Sequence, residues 1–577
     1  MPADAAQPES LETNQPVLSI LPSNNNFVTD QLQTERVRHS PYPLRVRQKK
    51  HIWSLVSLPE PKEPTSLSEA MQSSQANLWR VAMQEEYDSL IRNETWSLTQ
   101  LPPNRTAIKT RWVFKVKEES DGSTTRFKAR LVAKGFSQRP GIDFEETYSP
   151  VVKYDTLRVI LSLVAAKDLD MAQLDIKTAF LNGELDEEIY IEQPEGYVAE
   201  GKGNLVCRLN KCLYGLKQAS RVWNRHFDFF LKKFGLTPSD ADPCLYVRSS
   251  KEEFASVAIW VDDGLVCANN PKLTTAIINY LMQHFEMRHS SVSQFVGIKI
   301  ARNKQLGTIH ISQPDYIRKL IVRFHMTDCH PLAVPADPNC RLDESATESN
   351  EKFPYKEAIG SLMYLTTVSR PDIAFAVGQA SRHCENPNRQ HWAAVRRILA
   401  YLQGTQDYGI CFGQTKDDLC GFSDSDYAGD PSTRKSTTGY LFLLNGGPVA
   451  WSSKRQPCVA LSSTEAELIA ACEATKEAIC LRRLLSDLEP DLGGPVPIMC
   501  DNQSTIQLVK NPVHHQRTKH IDVRYKFITG HQEEGEIDIK YITTQEQLAD
   551  PLNKPISNPR FSSLRFLSGV TSVPIAN

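Results

Sequence analysis

The chain has 577 residues, enough for roughly three or four domains, and its 40% hydrophobic and 23% charged residues are ordinary for a globular protein. A formal net charge of −2 excludes a uniformly basic or acidic chain, so a polyanionic partner has to be sought from local charge. Thirteen scattered cysteines without a CxxC pair exclude a zinc ribbon and a disulfide framework, which favours a reducing compartment, and no apolar stretch is long enough to cross a membrane.

The first 66 residues are rich in Pro, Ser, Asn and Gln, and this composition predicts a disordered linker or tail. Folded sequence is expected to begin near Asn77 with a helix. Its apolar residues recur with helical spacing at Leu78, Val81, Ala82, Tyr87, Leu90 and Ile91. Strand patterns at 110–117 and 129–136 then flank the polar stretch EESDGSTT, which predicts a hairpin.

This predicted hairpin is locally basic, with ten Lys or Arg against three Asp or Glu between Arg105 and Arg139. Aromatic residues are interleaved with the basic ones at Trp112, Phe114, Phe127 and Phe136. The combination suits a polyanion with stacked bases. An ordinary solvated charged face is the alternative interpretation.

Further along the chain, periodicity predicts a helix at 154–167, a buried strand at 171–176 and a helix at 218–234. Two strands, FASVAIWV and DGLVCAN, follow with an acid pair at their turn. A polar, Pro-containing stretch at about 336–350 marks a boundary, and 356–403 has helical patterns. The final ~160 residues have patterns typical of a strand, a hairpin, a helix, a strand and a helix.

The acid pair, Asp262 and Asp263, follows an apolar run that ends at Trp260 and Val261. Two desolvated neighbouring carboxylates repel each other, and a third, Asp175, ends the strand in QLDIKTAFLNG. Taken singly, such residues are turn or cap residues more often than ligands. Together they form a set of hard oxygen ligands suited to Mg²⁺. A pair of such ions supports nucleotidyl transfer.

Several longer motifs occur in a fixed order: RFKARLVAKGFSQRPGIDFEETYSPVVKYDTLRVILSL, QLDIKTAFLNGEL, CLYGLKQASRVWN, VDDGLV and FVGIKI. This ordered set resembles the reverse transcriptase of copia-type LTR retrotransposons. The later stretches GFSDSDYAGD, STRKSTTGY, WSSKRQ, ALSSTEAELIA, CDNQSTI, RTKHIDVRYKFI and QLADPLNK resemble the ribonuclease H that follows it. The resemblance extends from about residue 68 to residue 570.

The resemblance implies an α+β fold: a right-hand polymerase with fingers, palm and thumb, followed by a helical connection and an α/β ribonuclease H-like domain. The expected ranges are a tail at 1–66, the reverse transcriptase at 67–335, the connection at 336–417, the ribonuclease H-like domain at 418–557 and a C-terminal tail at 558–577. It implies RNA- and DNA-directed DNA synthesis and degradation of the RNA strand of RNA–DNA hybrids.

Carried over by position, three acids match the polymerase metal ligands: Asp175, Asp262 and Asp263. Two basic residues, Lys128 and Arg130, lie where the family neutralises the triphosphate. Phe180 matches the aromatic gate that disfavours a 2′-OH. The stretch with Tyr214, Lys217 and Gln218 resembles the template and nucleotide contact loop, and Gly297 resembles the hairpin that grips the primer. The family usually has Tyr at the primer-facing position of Trp260. The larger indole is expected to alter the fit of the primer end and so the efficiency of DNA synthesis.

In the second domain, four acids match the ribonuclease H metal ligands: Asp424, Glu467, Asp501 and Asp550. Asp426 is a neighbouring alternative to the first of them. Glu467 also fits a capping box with Thr464, and Asp501 also fits a helix N-cap. Asp550 precedes Pro551, which fits the first position of a helix. The residues Pro551 and Asn553 depart from the family pattern, and His520 belongs to it, with an expected structural or substrate-contacting role.

The implied cofactor is Mg²⁺, two ions per active site, with Mn²⁺ as a substitute. The implied partners are an RNA template, a DNA primer, an RNA–DNA hybrid, deoxynucleoside triphosphates and other Pol or Gag chains. The expected location is intracellular, in a cytoplasmic virus-like particle and in the nucleus. Because protease, integrase and zinc-knuckle motifs are not found, the chain is expected to be a fragment of a polyprotein, an incorrectly assigned reading frame or a relic. A decayed copy that binds nucleic acid without catalysis is the main alternative, and a host nuclease is a weaker one.

Overall fold

The computed structural model describes residues 63–118, 125–340, 342, 352–489, 494–510 and 519–573. Nearly all of the predicted N-terminal tail therefore lies outside the described residues. So do the predicted hairpin turn within 118–125, much of the predicted boundary at 336–350 and the side chain of His520. None of the described helices has the length and apolar character needed to span a bilayer.

The first part, called the fingers here, combines a helical layer with a β-hairpin. Its elements are α1 (Leu67–Gln72), α2 (Ala76–Arg92), β1 (Trp96–Thr99), β2 (Thr110–Glu118) and β3 (Thr125–Ala133). The strands β2 and β3 pair antiparallel from Thr110 opposite Ala133 onward, as the alternating pattern predicts. The predicted helix is also present, but its apolar residues Leu78 and Val81 are exposed. The buried stripe instead contains Trp79, because this larger ring fills the space against the hairpin.

The interleaved aromatic residues of the hairpin are mostly core residues. Trp112 and Phe114 are buried, and Phe127 packs edge-on against Trp79 with ring centroids 4.6 Å apart. Phe127 is half-buried and lines the cleft between fingers and palm, and Phe136 is 83% exposed. The interpretation of all four rings as a base-stacking surface is therefore wrong for Trp112 and Phe114, since alternate strand residues face the interior.

The second part, called the palm, is built on a six-stranded antiparallel sheet with the order β11-β4-β10-β9-β8-β7. Its elements are α3 (Tyr154–Lys167), β4 (Asp170–Ile176), β5 (Tyr190–Ile191), β6 (Val206–Leu209), α4 (Ala219–Phe234), β7 (Thr237–Pro238), β8 (Leu245–Ser249), β9 (Phe254–Trp260), β10 (Asp263–Ala268), α5 (Pro271–Met282) and β11 (Met287–Ser290). The short strands β5 and β6 form a separate sheet with β1.

Both faces of this sheet are covered, which explains the near-continuous apolar runs of its central strands. On β9, Val257 and Ile259 pack in the cluster formed with α4 and α5, whereas Ala258 packs in the cluster that contains α3. The same alternation on β4 directs Leu174 and Ile176 towards α4 and α5. The intervening residue, Asp175, therefore extends from the opposite face.

The third part contains a primer-side hairpin and the helices of the connection. Its elements are β12 (Gln294–Phe295), β13 (Ile298–Asn303), β14 (Thr308–Ser312), α6 (Pro314–Arg323), α7 (Tyr355–Val368), α8 (Ala374–Ser381), α9 (Arg389–Gly404) and β15 (Gly409–Phe412). The helical patterns predicted for 356–403 are therefore present as three helices. The strands form a five-stranded sheet, β12-β13-β14-β15-β21, whose last member comes from the C-terminus.

The last part, called the hydrolase domain, has a mixed five-stranded sheet with the order β18-β17-β16-β19-β20. Its elements are β16 (Cys420–Ser425), β17 (Thr437–Leu444), β18 (Gly447–Arg455), α10 (Ser463–Leu488), β19 (Val496–Cys500), α11 (Gln503–Lys510), α12 (Lys519–Glu533), β20 (Ile537–Tyr541), α13 (Arg560–Leu567) and β21 (Val570–Thr571). The first three strands are antiparallel, and β16, β19 and β20 run parallel. This is the mixed sheet expected of the α+β fold class.

The prediction of a C-terminal tail at 558–577 is wrong for the described part of this segment, which is folded. It contains α13 and β21, and the carbonyl of Gly569 accepts from the backbone N–H of Cys411 on β15 at 2.9 Å. The aromatic ring of Phe561 and the side chain of Leu564 are buried in the core of the connection. Apolar residues at helical spacing are what hold this segment in place.

Candidate active sites

The palm brings the three predicted polymerase acids to one end of its sheet. In the antiparallel pairing of β10 with β4, Asp263 lies directly opposite Asp175. Residues directly opposite in an antiparallel pair extend from the same face, so both carboxylates share the face away from α4 and α5. Asp262 occupies the two-residue turn between β9 and β10. The turn predicted from the apolar runs is therefore present, although Asp263 already belongs to β10.

This turn has an unusual backbone. Val261 has φ +56°, a region that β-branched residues rarely adopt and that costs of order 1–3 kcal/mol. Two hydrogen bonds hold it: the indole Nε1 of Trp223 donates to the Val261 carbonyl at 2.6 Å, and Ile176 N–H donates to the Asp262 carbonyl at 3.1 Å. The surrounding structure thus fixes the position of the acid pair.

A cleft of about 830 Å³ lies beside these acids and joins the palm to the fingers. Both Asp175 and Asp262 line it, as do Lys128 and Arg130 from β3. Further charged residues line the same cleft: Arg92, Arg126, Lys177, Arg288, Glu85, Glu86, Asp88 and Glu286. Acidic and basic side chains therefore occur on both sides of the cleft. Carboxylates can hold a metal ion and basic side chains can bind phosphate, so the lining contains the groups that a metal-associated triphosphate requires.

Arg130 and two aromatic residues pack together beside this cleft. The Arg130 guanidinium lies over the ring of Tyr214 at 4.8 Å, and the ring of Phe180 meets Tyr214 edge-on at 4.6 Å. Burial raises the pKa of Tyr214 to about 12, against the opposing effect of Arg130. Tyr214 therefore stays neutral, and Phe180 is held beside it, while its role as the gate stays a prediction.

The prediction of Gln218 as a nucleotide contact is corrected because its side chain is buried, whereas Lys217 is exposed and its contact with nucleotide stays a prediction. Gln218 is buried, accepts from Gln138 Nε2 at 3.0 Å and donates to the carbonyl of Asp143 at 2.9 Å. The Lys217 ammonium lies 4.4 Å from the centre of the Phe144 ring. Both residues fasten the loop that carries Tyr214, so the amide of Gln218 is already occupied by protein partners.

The two predicted primer contacts lie on neighbouring elements. Trp260 pairs across the turn with Asp263, so its indole is on the acid-bearing face, and its ring packs at 5.2 Å from Tyr154. Gly297 lies in the turn between β12 and β13 with φ +75°, and a Cβ there would lie 2.8 Å from the hydroxyl of Tyr364. The tight turn expected for the primer-gripping hairpin is present.

Replacing Gly297 by Ala should destabilise this turn by about 1–3 kcal/mol. The strained φ and the contact with Tyr364 both oppose an added methyl group. The matched control is Gly307→Ala, which has φ +63° but nothing within 4 Å of its Cβ. Denaturant unfolding should show a larger loss for Gly297→Ala, and equal losses would mean that the Tyr364 contact has no effect.

The hydrolase domain brings together the second predicted acid set. Carboxylate oxygens of Asp424 on β16, Glu467 on α10 and Asp501 after β19 all lie within 4.8 Å of one another. Asp550 joins them in a short 3₁₀ turn, Asp550–Leu552, rather than at the start of an α-helix. By contrast, Asp175, Asp262 and Asp263 are not among the described groups that meet this distance limit.

The competing capping interpretations of two of these acids are wrong. The N-cap of α10 is Ser462, whose hydroxyl accepts from Glu465 N–H at 3.1 Å, so Glu467 does not cap that helix. At α11, the side chain of Asn502 accepts from Thr505 N–H at 3.0 Å. Because other residues satisfy the helix ends, the carboxylates of Glu467 and Asp501 are directed to the acid cluster.

The acid cluster contains a buried oxygen without a protein partner. The Oε1 atom of Glu467 accepts from Ser425 N–H at 3.1 Å, but its buried Oε2 has no hydrogen-bond partner among the described residues. Burial and the neighbouring Asp424 raise the pKa of Glu467 well above its usual range. A cation among these oxygens would satisfy Oε2 and relieve this cost. The donor set, made of carboxylates alone, fits Mg²⁺.

The other half of the cluster already contains protein cations, which the sequence analysis missed. The ammonium of Lys554 lies 2.5 Å from Asp550 Oδ1 and 3.1 Å from Asp424 Oδ2. Arg560 pairs with the second oxygen of Asp550, and Asn553 donates to Asp424 at 2.8 Å. Lys554 was part of the quoted motif QLADPLNK, and its spacing of four residues after Asp550 was the available signal.

These partners give the acids different pKa values. Burial opposes ionisation of Asp424, but its hydrogen bond with Asp550 and the Lys554 ammonium hold its pKa below the usual range. Burial and Asp424 raise the pKa of Asp550 to about 7. The neighbouring alternative, Asp426, binds the backbone N–H of Thr437 instead and lies outside the acid group. Asp424 is therefore the residue that the geometry favours.

Replacing Lys554 by Met should lower the stability of the metal-free protein by about 2 kcal/mol at pH 8, since two buried carboxylates lose their shared counter-charge. Added Mg²⁺ should then raise the melting temperature more than it does in the wild type. The matched control is Lys526→Met, which removes an exposed ion pair of the same spacing with Asp522. Thermal scans with and without Mg²⁺ check this, and equal losses in the two variants would contradict it.

A family model described as reverse transcriptase (RNA-dependent DNA polymerase) matches residues 93–338. The retrovirus-related Pol polyprotein from transposon TNT 1-94 of Nicotiana tabacum is 44% identical over 526 residues, which cover 90% of this chain and 40% of that protein. A transposon Ty5-1 protein of Saccharomyces cerevisiae is 32% identical over 311 residues, which cover 53% of this chain and 100% of that protein.

Among solved structures, a foamy viral protease–reverse transcriptase in complex with dsDNA is 14% identical, with a TM-score of 0.45, over 81% of this chain and 83% of that one. The chain spans 35–40% of the length of the plant Pol polyproteins that it matches. The residues matched by the family model include Asp175, Asp262 and Asp263.

Proposed function

The chain belongs to the copia-type retrotransposon Pol family with a reverse transcriptase domain, and from this premise we propose that it is an RNA- and DNA-directed DNA polymerase with an appended ribonuclease H. The observation that carries the proposal is the pairing of Asp263 with Asp175 across β10 and β4, with Asp262 in the adjoining turn. Asp175 and Asp262 line a cleft that Lys128 and Arg130 of β3 also line.

In the polymerase site, Asp175, Asp262 and Asp263 would hold Mg²⁺, with Mn²⁺ as a substitute. When bound, a pair of such ions activates the attacking 3′-oxygen and stabilises the leaving phosphate. The protein's own residues supply binding and orientation. Lys128 and Arg130 neutralise the triphosphate, and the Arg130 guanidinium is held in place by its stacking on Tyr214.

The remaining residues of this site orient the sugar and the primer. The ring of Phe180, held edge-on against Tyr214, would exclude a 2′-OH and favour deoxynucleotides. Trp260, on the acid-bearing face, would support the primer end, and the Gly297 turn, packed against Tyr364, would contact the primer backbone. Most template–primer contacts would be to phosphates, so affinity should fall as salt rises.

In the hydrolase site, Asp424, Glu467, Asp501 and Asp550 would hold the ions that support cleavage of the RNA strand of an RNA–DNA hybrid. The partnerless oxygen of Glu467 supports a cation at this position. Lys554 keeps the metal-free Asp424 and Asp550 from repelling each other. The acids lie on or directly beside regular elements: Asp424 on β16, Glu467 on α10, Asp501 just after β19 and Asp550 in a 3₁₀ turn. Such elements hold side chains rigidly, which favours a preformed site.

The test of the polymerase proposal is extension of a labelled DNA primer on an RNA template and on a DNA template, with Mg²⁺ and with EDTA. We expect Mg²⁺-dependent extension on both templates, weakening with increasing salt. A well-folded protein that binds the primer–template but extends neither would support the alternative of a copy that binds nucleic acid without catalysis. The EDTA arm tests whether synthesis needs the metal, and an Asp262→Asn protein purified in the same way excludes a contaminating polymerase.

A further inference from the structure

A buried arginine of the palm reaches both of the later parts of the chain. Arg158, on α3, is only 3% exposed. Its Nε donates to the carbonyl of Val449 on β18 at 2.7 Å, and its Nη1 donates to the carbonyls of Thr367 and Val368 on α7 at 2.8 and 3.0 Å. One guanidinium thus joins the palm, the connection and the hydrolase domain.

The indole of Trp451, from the hydrolase domain, covers this guanidinium. The Trp451 ring lies 4.0 Å from the Arg158 guanidinium carbon, and its Nε1 donates to the carbonyl of Thr366 on α7 at 2.7 Å. Negative charge comes from Asp155 on the same helix, which pairs with Arg158, and from Glu477 on α10. A buried charge is retained only where such partners surround it.

Contacts next to Arg158 continue the same interface along α3. The hydroxyl of Ser162 donates to the carbonyl of Leu444 at 3.1 Å and accepts from Asn445 Nδ2 at 2.9 Å. Near the end of the helix, Lys167 pairs with Glu489 at 2.8 Å. The palm and the hydrolase domain therefore share a continuous polar seam over an apolar core that contains residues of both.

Each acid site is connected to this interface, one by a short stretch of chain and the other by a shared sheet. The helix α3 leads directly into β4, which carries Asp175, and β18 belongs to the sheet whose strand β16 carries Asp424. A planar, forked guanidinium bonded to three carbonyls constrains rotation as well as distance, whereas a lysine ammonium cannot reproduce that fork. A change at Arg158 should therefore alter the relative orientation of the two sites.

We propose that Arg158, with Trp451, is a positioning device that holds the hydrolase domain in one orientation relative to the palm and so sets where RNA is cut relative to the primer 3′ end. The proposal rests on the proposed function of the two acid sites. Neither residue is placed among the groups that contact substrate or metal. Its signature is the spread of cut positions, which loss of stability alone does not move.

The experiment uses the full chain with a labelled RNA template annealed to a DNA primer with a recessed 3′ end, in Mg²⁺ without nucleotides. Wild-type cuts should fall in a narrow window at a fixed distance from the primer end. In Arg158→Lys and in Trp451→Phe the window should become at least about twofold wider. The rates of primer extension and total RNA cleavage should stay within about threefold of wild type, since neither acid site is altered.

The matched control is Arg370→Lys, because Arg370 is fully buried but hydrogen-bonds to Asp372 and Thr405, which are both in the connection. It should lower the melting temperature without moving the cuts. Differential scanning calorimetry gives a readout that needs no activity. Wild type should unfold in one transition, and Arg158→Lys should broaden or split it.

A folded Arg158→Lys protein with wild-type cut positions and a single wild-type transition overturns the proposal. Wild-type cleavage with no preferred distance from the primer end also overturns it, while leaving the two proposed activities intact. If wild type shows neither extension nor cleavage, the proposed function fails. In that case the calorimetric comparison alone decides whether Arg158 couples the two domains, and an unchanged transition counts against it.

Discussion

Replacing Asp262 by Asn should lower DNA synthesis by at least about 10³-fold, because a metal site supplies several kcal/mol of transition-state stabilisation. The side chain is isosteric, and the backbone bonds that hold the turn, from Trp223 and Ile176, do not involve the carboxylate. The fold should therefore be retained. Cleavage of the RNA strand of a preformed hybrid should stay within about threefold of wild type. Single-turnover extension and cleavage assays measure both quantities.

The matched control for this substitution is Asp170→Asn, at the other end of β4 from Asp175. It removes one carboxylate from the same strand, and it is paired with Ala268 rather than with the acid turn. Synthesis by the control should remain near the wild-type rate. Equal losses in both variants would mean that general negative charge of the palm, rather than the acid set, is responsible.

Replacing Glu467 by Gln should abolish hybrid cleavage, with a loss of at least about 10³-fold, and leave primer extension intact. The amide keeps the bond from Ser425 N–H to the side-chain oxygen but cannot replace a carboxylate ligand. The matched control is Glu465→Gln, a buried glutamate two residues earlier whose carboxylate accepts from Leu461 N–H at 2.8 Å. Its cleavage rate should stay within about threefold of wild type.

The same substitution should change the pH dependence of stability. The pKa of Glu467 is raised in the folded protein by burial and by Asp424, so the folded state holds its proton more tightly than the unfolded chain does. Ionisation above the ordinary pKa of glutamate therefore lowers the stability of the metal-free wild type as pH rises. Because Gln does not titrate, its advantage in melting temperature should grow between pH 5 and pH 8, by roughly 2–4 °C. An advantage that shrinks with rising pH would contradict this.

Local sequence patterns predicted most of the framework. The alternating and continuous apolar runs predicted β9, β10 and the hairpin of β2 and β3, because side-chain period and burial decide strand faces. The position of Asp262 in a turn followed from the same runs. The exposed face of α2 was the main error in an element, since apolar spacing alone could not say that Trp79, rather than Leu78, is directed inwards.

The contents of the sites were less predictable, because they depend on contacts distant in sequence. Gln218 lies in the expected loop, but its amide is saturated by Gln138 and Asp143, which are about 80 residues earlier. Lys554 and Arg560 enter the acid cluster through a short turn that no periodicity indicates. Likewise, only the geometry shows that Ser462 and Asn502 are the residues that cap α10 and α11.

The packing of the palm on the hydrolase domain was also beyond the sequence. The bond from Arg158 to Val449 joins residues 291 positions apart, and no local pattern at either end marks the partner. The folded C-terminal segment has the same origin, because β21 completes a sheet that begins with β12. Composition and spacing do not indicate which segments distant in sequence pair with each other.

The central claim is that one chain contains two separate acidic active sites. The most direct measurement follows primer extension and RNA cleavage on one doubly labelled RNA–DNA substrate with wild type, Asp262→Asn and Glu467→Gln in Mg²⁺. We predict both activities in wild type, cleavage alone in Asp262→Asn and extension alone in Glu467→Gln. Loss of both activities in either folded variant, or absence of both in folded wild type, would contradict the claim.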